Sequence, residues 1–282
     1  MYASNGRNDV VRCGRTSPRA KGGETLKKVV YYTDESEDFA GTKITQKSLP
    51  HDHKYFHGVF WRVVAWFLYY LIAVPVAFVI KRFWYREKVV GKEKLKPYKK
   101  QGFFLYGNHT RLMGDVFCPP ITCFPKRVYV LANPDSVSIP VLGNFPEMLG
   151  CVPLPTDRGG MRNFHNAVLK HAEKKHVISV YPEAKIWPYY TKIRPFPSGA
   201  FRYPAESGKA AFNMTVTYQK SKFFKRPKSV TYIDGPFLPC EGLTVKENQV
   251  ALHAAVTNCM HERSKESNCE YIQYVKKENP SS

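Results

Sequence analysis

Short apolar runs alternate with longer amphipathic stretches from Trp84 to the end of the chain. The runs are rich in β-branched and aromatic residues and are bounded by Gly, Pro and polar turns, as strands are. Helical periodicity predicts helices over Met161–Lys174 and Val245–Lys265. The alternation predicts an α/β fold with a mixed, largely parallel sheet flanked by helices. The predicted strands are Lys88–Val90, Phe103–Tyr106, Arg127–Leu131, Val177–Tyr181, Asn213–Tyr218 and Ser229–Ile233.

An uncharged apolar segment, Val63–Ile80, precedes most of these elements. As a helix it would be about 27 Å long, close to the thickness of a bilayer core. Pro75 would kink this helix, so a shallow interfacial or re-entrant arrangement competes with a full span. The buried core helix of a soluble protein is the remaining alternative. We therefore expect an N-terminal membrane-associated helical segment ahead of the sheet.

The chain of 282 residues carries a formal net charge of +20, which requires an acidic partner. Because the sequence has no recognisable nucleic-acid-binding motif, an anionic membrane surface is favoured over nucleic acid. Cations are concentrated directly after the apolar segment, where an ordinary solvated loop is the alternative. By the positive-inside rule they place the rest of the chain on the cytoplasmic side. These cations are Lys81, Arg82, Arg86, Lys88, Lys92, Lys94, Lys96, Lys99 and Lys100.

Composition divides the chain into three parts. Residues 1–53 are polar and are predicted to form a flexible extension, residues 54–83 a membrane anchor, and residues 84–282 the folded domain. The seven cysteines are irregularly spaced and include no C-x-x-C pair, so the sequence predicts neither a metal site nor a disulfide framework.

The segment Phe103–Pro119 runs from a predicted strand through a Gly-Asn turn to a histidine, His109. Ligands in open α/β sheets bind beyond the carboxyl ends of strands, so we expect His109 at the mouth of a cleft. Asp115 follows six positions later. An imidazole with a nearby carboxylate can take a proton from an alcohol near neutral pH. The alternative is that His109 caps a turn and Asp115 is a solvated helix residue.

A second apolar run ends in Tyr181–Ala184, which reads Y-P-E-A. Together with Asn108, His109 and Asp115, this block resembles the lysophospholipid acyltransferase family, which includes the 1-acylglycerol-3-phosphate acyltransferases. The stretch 155–159, P-T-D-R-G, resembles the family block that ends in a basic residue. The stretch 194–201 resembles the tail that follows the glutamate. The resemblance covers roughly residues 84–235 and is closest to a bacterial-type subgroup.

The resemblance implies a membrane-bound acyltransferase, with residues 84–282 as its catalytic domain and no cofactor. The donor would be the thioester of acyl-CoA or acyl-carrier protein, and the acceptor a lysophospholipid with a free hydroxyl. The favoured acceptor is 1-acyl-glycerol-3-phosphate, which gives phosphatidate. His109 would be the general base and Asp115 the acid that orients it. The chain has no G-x-S-x-G motif, so a serine acyl-enzyme is not expected.

Two departures from the family pattern matter. Five residues instead of four separate His109 from Asp115, and the family's Gly-Thr-Arg after the glutamate is Ala184-Lys185-Ile186. The second change removes the arginine expected to hold the acceptor's phosphate, so neighbouring cations must replace it. A catalytically inactive membrane-associated scaffold of the same fold is therefore the alternative function. The residues expected to bind substrate are Asn108, Arg158, Glu183, Lys185, Lys192 and Arg194, with Glu183 anchoring the cations or the site loop.

Overall fold

A computed structural model describes residues 28–39, 48–112, 114–134 and 145–277 of the protein. Its strands are β1 (Lys28–Tyr32), β2 (Lys88–Val90), β3 (Phe103–Gly107), β4 (Val128–Ala132), β5 (Cys151–Pro153), β6 (Val177–Val180), β7 (Ala211–Gln219), β8 (Lys228–Phe237) and β9 (Ile272–Lys276). Its helices are α1 (Val59–Trp84), α2 (Gly114–Cys123), α3 (Phe145–Met148), α4 (Met161–Glu173), α5 (Arg202–Ser207) and α6 (Val245–Ser264). Two 3₁₀ segments, Lys92–Tyr98 and Ser198–Phe201, connect them.

The main sheet has seven strands in the order β2-β8-β7-β3-β6-β4-β5. All neighbouring pairs are parallel except β7 and β8, which are antiparallel. The carboxyl ends of β3, β4, β5, β6 and β7 therefore lie along one side of the sheet, which we call the carboxyl edge. The prediction of a mixed, largely parallel sheet flanked by helices is confirmed.

The central strands β3 and β6 are buried on both faces, which explains their uninterrupted apolar sequences. Phe104 and Tyr106 pack on one face in a cluster with Val168 of α4 and Val256 of α6. Alternate residues of β3, including Leu105, pack on the other face. The two clusters hold β3 rigidly, so the turn that follows it has a fixed position.

The predicted strands and long helices are confirmed with small shifts at their ends, the largest at β8, which continues from Ile233 to Phe237. The sequence did not predict α2, because Pro119 and Pro120 lie inside it and proline normally interrupts a helix. The short elements β5, α3 and α5 were also missed, since each is too short for a periodic pattern.

Helix α1 is long and apolar enough to cross a membrane by length and composition. It includes π-helical turns at Leu68–Ala73 and Ile80–Trp84, and it continues through Pro75. One side packs on the domain: the Tyr69 hydroxyl accepts from the Val128 amide at 3.1 Å, and Arg127 donates to the Ala65 carbonyl at 3.1 Å. The opposite side leaves large apolar side chains exposed, among them Phe60, Phe67, Leu71, Phe78 and Phe83.

Part of the segment predicted as a flexible extension is regular structure. Strand β1 pairs in parallel with β9 in a separate two-stranded sheet. Beyond it, Phe39 and Tyr32 pack edge-on against Trp187, a residue that follows β6. The run Lys-Val-Val-Tyr-Tyr has strand-forming residues, but its partner lies more than two hundred residues away in sequence, so local patterning could not reveal it. Residues 1–27 and 40–47 of this segment lie outside the described residues.

Candidate active site

The turn after β3 brings His109 and Asp115 into contact. The Nδ1 atom of His109 lies 2.8 Å from Oδ2 of Asp115. The His109 side chain is 16% exposed, whereas that of Asp115 is 1% exposed. Because Nδ1 is bound to the carboxylate, Nε2 is the nitrogen available to a substrate. The two residues thus have the geometry of a base and the acid that orients it.

The extra residue between His109 and Asp115 is accommodated by the start of α2. The backbone amide of Arg111 donates to Asp115 Oδ2 at 2.9 Å, and the amide of Asp115 donates back to the Arg111 carbonyl at 3.4 Å. A Cβ atom at Gly114 would lie 2.9 Å from Arg111 Cδ and 2.9 Å from Tyr85 Cε2. A side chain at this position would force Arg111 or Tyr85 to move, so glycine suits the five-residue spacing, which still places the carboxylate beside the imidazole.

A buried ion network lies behind Asp115, and the sequence did not predict it. Arg111 donates from Nε to Asp115 Oδ1 at 3.1 Å and from Nη1 to Glu87 Oε1 at 2.7 Å. Lys81, at the end of α1, lies 3.4 Å from Glu87 Oε2. Burial by itself would raise the pKa of Glu87, but Arg111 and Lys81 outweigh it and lower that pKa to about 2. The network therefore joins the end of α1 to the His109–Asp115 pair.

The ring of Tyr181 packs against the imidazole of His109. Its ring stacks on that of His109, with centroids 4.8 Å apart and planes inclined by 23°. Its hydroxyl donates to the backbone carbonyl of Asp115. A Cβ atom at Gly107 would lie 2.7 Å from Tyr181 Cε1, so the close approach of this ring requires glycine at the end of β3. The stacked tyrosine limits the orientations open to His109.

Glu183 ties the His109 turn to the segment that follows β6. Its Oε2 accepts from the His109 amide at 3.2 Å and from Arg194 Nη2 at 3.0 Å, while its Oε1 accepts from the Arg194 amide at 3.2 Å. Burial raises the pKa of Glu183, and the Arg194 guanidinium partly offsets this rise. The backbone amides of Trp187 and Tyr189 also donate to the carbonyls of His109 and Thr110. These contacts give Glu183 a bracing position.

Ala184 occupies the position of the family's glycine and has a φ of 62°. This left-handed conformation costs a residue with a Cβ roughly 1 kcal/mol or more. A glycine, the residue of the family motif, would adopt this conformation without that cost. The strain at Ala184 is sustained by the hydrogen bonds that Glu183 and the following residues make to the His109 turn.

Asn108 is wholly buried and faces away from the imidazole. Its side chain donates to the Val216 carbonyl at 3.0 Å and accepts from the Val216 amide at 2.8 Å. Both ends of the amide are therefore used to fasten the turn to β7. This arrangement favours a positioning role for Asn108.

The four predicted cations lie at different places on the carboxyl edge. Arg158 is exposed on the loop after β5, three strands away from β3. Lys192 is exposed and Lys185 is half-buried, 3.8 Å from Asp38, and both belong to the segment after β6. Arg194 is buried, bound to Glu183 and the Lys185 carbonyl, with its guanidinium over the Trp187 ring. Since its charge is already paired, Arg194 is the least available of the four to a ligand.

Cys118 lies near the site in sequence, but it is wholly buried within α2. Burial raises the pKa of its thiol far above the ordinary value. A thiol is a poor nucleophile in this state, because the thiolate is the reactive form. The residue packs in the core.

A buried carboxylate in contact with a part-exposed histidine, at the carboxyl edge of an α/β sheet, has the geometry that general-base chemistry on a bound ligand requires. A family model described as Acyltransferase matches residues 86–217, the stretch that contains His109, Asp115 and Glu183. The match covers most of the stretch that carries the resemblance found in the sequence, and that resemblance is confirmed.

Two further comparisons complete the picture. The crystal structure of the 1-acyl-sn-glycerophosphate (LPA) acyltransferase PlsC from Thermotoga maritima matches with 18% sequence identity and a TM-score of 0.49, covering 75% of this chain and 91% of that chain. A comparison with curated protein sequences finds no match.

Proposed function

We propose that the protein is a membrane-bound acyltransferase that moves a fatty acyl group from a thioester donor to the free hydroxyl of a lysophospholipid. The donor is acyl-CoA or acyl-carrier protein, and the favoured acceptor is 1-acyl-glycerol-3-phosphate, which yields phosphatidate. The observation that carries the proposal is the 2.8 Å contact between His109 Nδ1 and Asp115 Oδ2 inside the acyltransferase-family stretch. It leaves Nε2 to act on the acceptor.

The chemistry follows from this arrangement. His109 Nε2 takes the proton of the acceptor hydroxyl while its oxygen attacks the carbonyl carbon of the thioester. The new C–O ester bond forms, the C–S bond breaks, and the imidazolium returns its proton to the leaving thiolate. Asp115 holds the Nδ1–H tautomer and stabilises the imidazolium while it exists. No covalent intermediate with the protein is required, because the thioester is already activated.

The buried network keeps Asp115 in place during this cycle. A carboxylate that accepts from His109 and twice from Arg111 has little freedom to rotate. Glu87 neutralises the second face of Arg111, so the guanidinium is not an unpaired buried charge. Arg111 and Glu87 are therefore positioning residues in the proposed mechanism, and they act through Asp115.

The acceptor's phosphate needs cationic donors near the hydroxyl-activating base. Lys185 and Lys192 follow β6, the strand beside β3. Arg158 follows β5, which is the third strand from β3, so its loop begins about 14 Å from the end of β3. We assign these three residues to the phosphate. Arg194 and Asn108 then shape the site, since their polar atoms are used by Glu183 and Val216.

Membrane attachment is proposed on the exposed apolar side of α1 and the cations that follow it. The helix end carries Lys81, whose contact with Glu87 connects it to the catalytic turn. An enzyme whose substrate and product are both lipids would be supplied directly from the bilayer by this placement. The cations after α1 favour the cytoplasmic side.

The alternative of an inactive scaffold is motivated by Ala184–Ile186, which replaces the family's Gly-Thr-Arg. The intact His109–Asp115 contact and the buried partners of Asp115 favour the enzyme. An inactive protein would not need a part-exposed histidine held by a buried carboxylate.

A membrane-fraction assay tests the proposal. Labelled acyl-CoA or acyl-carrier protein is offered with a panel of lysolipid acceptors to the native protein, to His109→Ala and Asp115→Asn, and to the control His261→Ala, which changes an exposed histidine of α6. We expect transfer by the native protein and the control, and losses of about 10²–10⁴-fold in the two site variants. Equal activity in His109→Ala and the control would refute the mechanism. Absence of transfer to every acceptor would favour the scaffold.

A further inference from the structure

The loop between β7 and β8, residues 220–227, lies on the carboxyl edge beside the catalytic turn. Tyr218, near the end of β7, donates from its hydroxyl to the Thr110 carbonyl at 3.1 Å. The loop reads K-S-K-F-F-K-R-P, with four cations and no acidic residue. Neither the catalytic mechanism nor the sequence motifs account for it.

Two adjacent aromatic side chains at the tip of this loop face solvent. Phe223 is 90% exposed and Phe224 is 61% exposed. Leaving a Phe side chain in water instead of burying it is unfavourable, because its apolar surface stays hydrated. Paired exposed aromatic residues flanked by cations are typical of segments that lie in the interfacial region of a membrane, with aromatic rings among the headgroups and basic residues at the surface.

The loop is held against the end of α1. Arg86 lies 4.1 Å above the Phe224 ring and donates to Ser221 Oγ at 3.0 Å. Arg226 lies 4.4 Å above the ring of Trp84, the last residue of α1. The apolar side of α1 is thereby continuous with the exposed aromatic tip of the loop.

A cavity of about 560 Å³ opens between the loop and the helix end. Four cations and three aromatic rings line it, and no acidic residue does so. Cations brought together in this way attract an anion to balance their charge. The lining residues are Arg82, Phe83, Trp84, Arg86, Phe224, Lys225 and Arg226.

We propose that loop 220–227 and the end of α1 form a second membrane-contact surface, specific for anionic phospholipids. Phe223 and Phe224 enter the interfacial region, and the cations of the cavity bind headgroup phosphates. The inference rests on the membrane attachment in the proposed function and extends it to a named surface with a lipid preference. The surface would place the carboxyl edge, and with it His109, against the bilayer that holds the lipid acceptor.

Hydrogen–deuterium exchange tests this surface on the full-length protein, reconstituted in nanodiscs of phosphatidylcholine alone or of phosphatidylcholine with phosphatidylglycerol. We expect the amides of residues 220–227 to exchange more slowly in the anionic discs. Each cation near an anionic surface contributes about a fivefold factor, so Lys222→Gln/Lys225→Gln should reduce this protection by roughly 25-fold. Phe223→Ser/Phe224→Ser should reduce it in both kinds of disc.

Matched controls carry the same changes elsewhere. Lys246→Gln/Lys265→Gln removes two exposed lysines, one within α6 and one directly after it. Leu238→Ser/Leu243→Ser replaces two exposed apolar residues outside the loop. Both controls should keep the protection of the native loop, and all four variants should unfold thermally like the native protein. Identical exchange of the native loop in the two lipids would overturn the proposal, as would equal losses in the control variants.

The two proposals fail separately. Because exchange does not depend on catalysis, His109→Ala should retain full loop protection in anionic discs. A protected loop in a protein that transfers no acyl group would remove the proposed reaction and leave the membrane surface intact. An active enzyme with an unprotected loop would do the reverse.

Discussion

At the scale of single residues, the site depends on how each charge is partnered. Arg194 and Arg158 both follow family-like motifs, yet Arg194 is buried against Glu183 while Arg158 is exposed on its loop. A paired buried guanidinium supports the fold, whereas an exposed one can bind an anion. Of these two cations, only Arg158 is accessible to the phosphate binding proposed above.

Arg158→Ala should raise the KM for the lysolipid much more than the KM for the acyl donor, because the phosphate would lose a charged donor before the reaction begins. Steady-state kinetics with each substrate varied in turn measures this difference. Arg162→Ala, which removes an exposed arginine in the first turn of α4, is the matched control. Equal effects on both KM values would make Arg158 structural. A preferred acceptor without a phosphomonoester would contradict the choice of lysophosphatidate but not acyl transfer.

At the scale of elements, the corner between α4 and β6 contains two histidines that the mechanism does not use. Their Nδ1 atoms lie 3.1 Å apart, so one must donate and the other accept. Burial, together with nearby cations such as Lys174, lowers the pKa of His171 to about 3 and that of His176 to about 4. Both rings pack against Tyr129, which fixes the corner.

The corner should make stability depend on pH. Unfolded histidines bind protons below their usual pKa of 6.5, whereas the folded pair resists protonation until about pH 4. The unfolded state then holds more protons in this window, so stability is complete above about pH 6.5 and falls as the pH decreases towards 4. Thermal unfolding in detergent between about pH 5 and pH 8 should show this decline.

His171→Phe should reduce the slope of Tm against pH, because it removes one of the two histidines that resist protonation in the folded state. The ring contacts with Phe56 and Tyr129 can persist in this variant. His261→Ala, on the surface of α6, should leave the slope as in the native protein. An unchanged slope in His171→Phe would show that other groups cause the pH dependence.

At the scale of the whole molecule, α1 has two different sides. Tyr69 and Ala65 on one side contact the start of β4, so deletion of the helix would also remove part of the domain's packing. The other side exposes a continuous set of large apolar residues. Membrane attachment is therefore better tested by substitution on the exposed side than by deletion.

Phe67→Ser/Leu71→Ser/Phe78→Ser should release the protein from membranes at high salt, because each exposed apolar side chain contributes about 1.5–3 kcal/mol when buried in lipid. At low salt the basic stretch after α1 should still hold part of the protein, since its attraction is screened only by added ions. Sedimentation after washes of low and high ionic strength measures both. Leu238→Ser/Leu243→Ser/Val250→Ser is the control, and retention of the triple α1 variant at high salt would indicate another hydrophobic surface.

Much of the architecture could be predicted because it follows local patterns. The sequence shows the apolar runs of the buried strands β3 and β6 and the helical periodicity of apolar residues in α4 and α6. It also shows that His109 follows a strand. Helix α2 was not predicted, because it contains Pro119 and Pro120 and proline normally disfavours a helix. Strand β1 was not predicted, because its partner β9 is far away in the sequence.

The sequence by itself determined the order of six strands of the sheet and of the two long helices α4 and α6, the apolar segment before them, and the placement of a histidine and an acid after β3. Only the tertiary structure decided which charges meet: Lys81, Glu87 and Arg111 come from separate segments and converge behind Asp115. Periodic burial is encoded by near neighbours along the chain. The strength of an ion pair depends instead on distance and on exclusion of water, and both are set by the folded arrangement of distant segments.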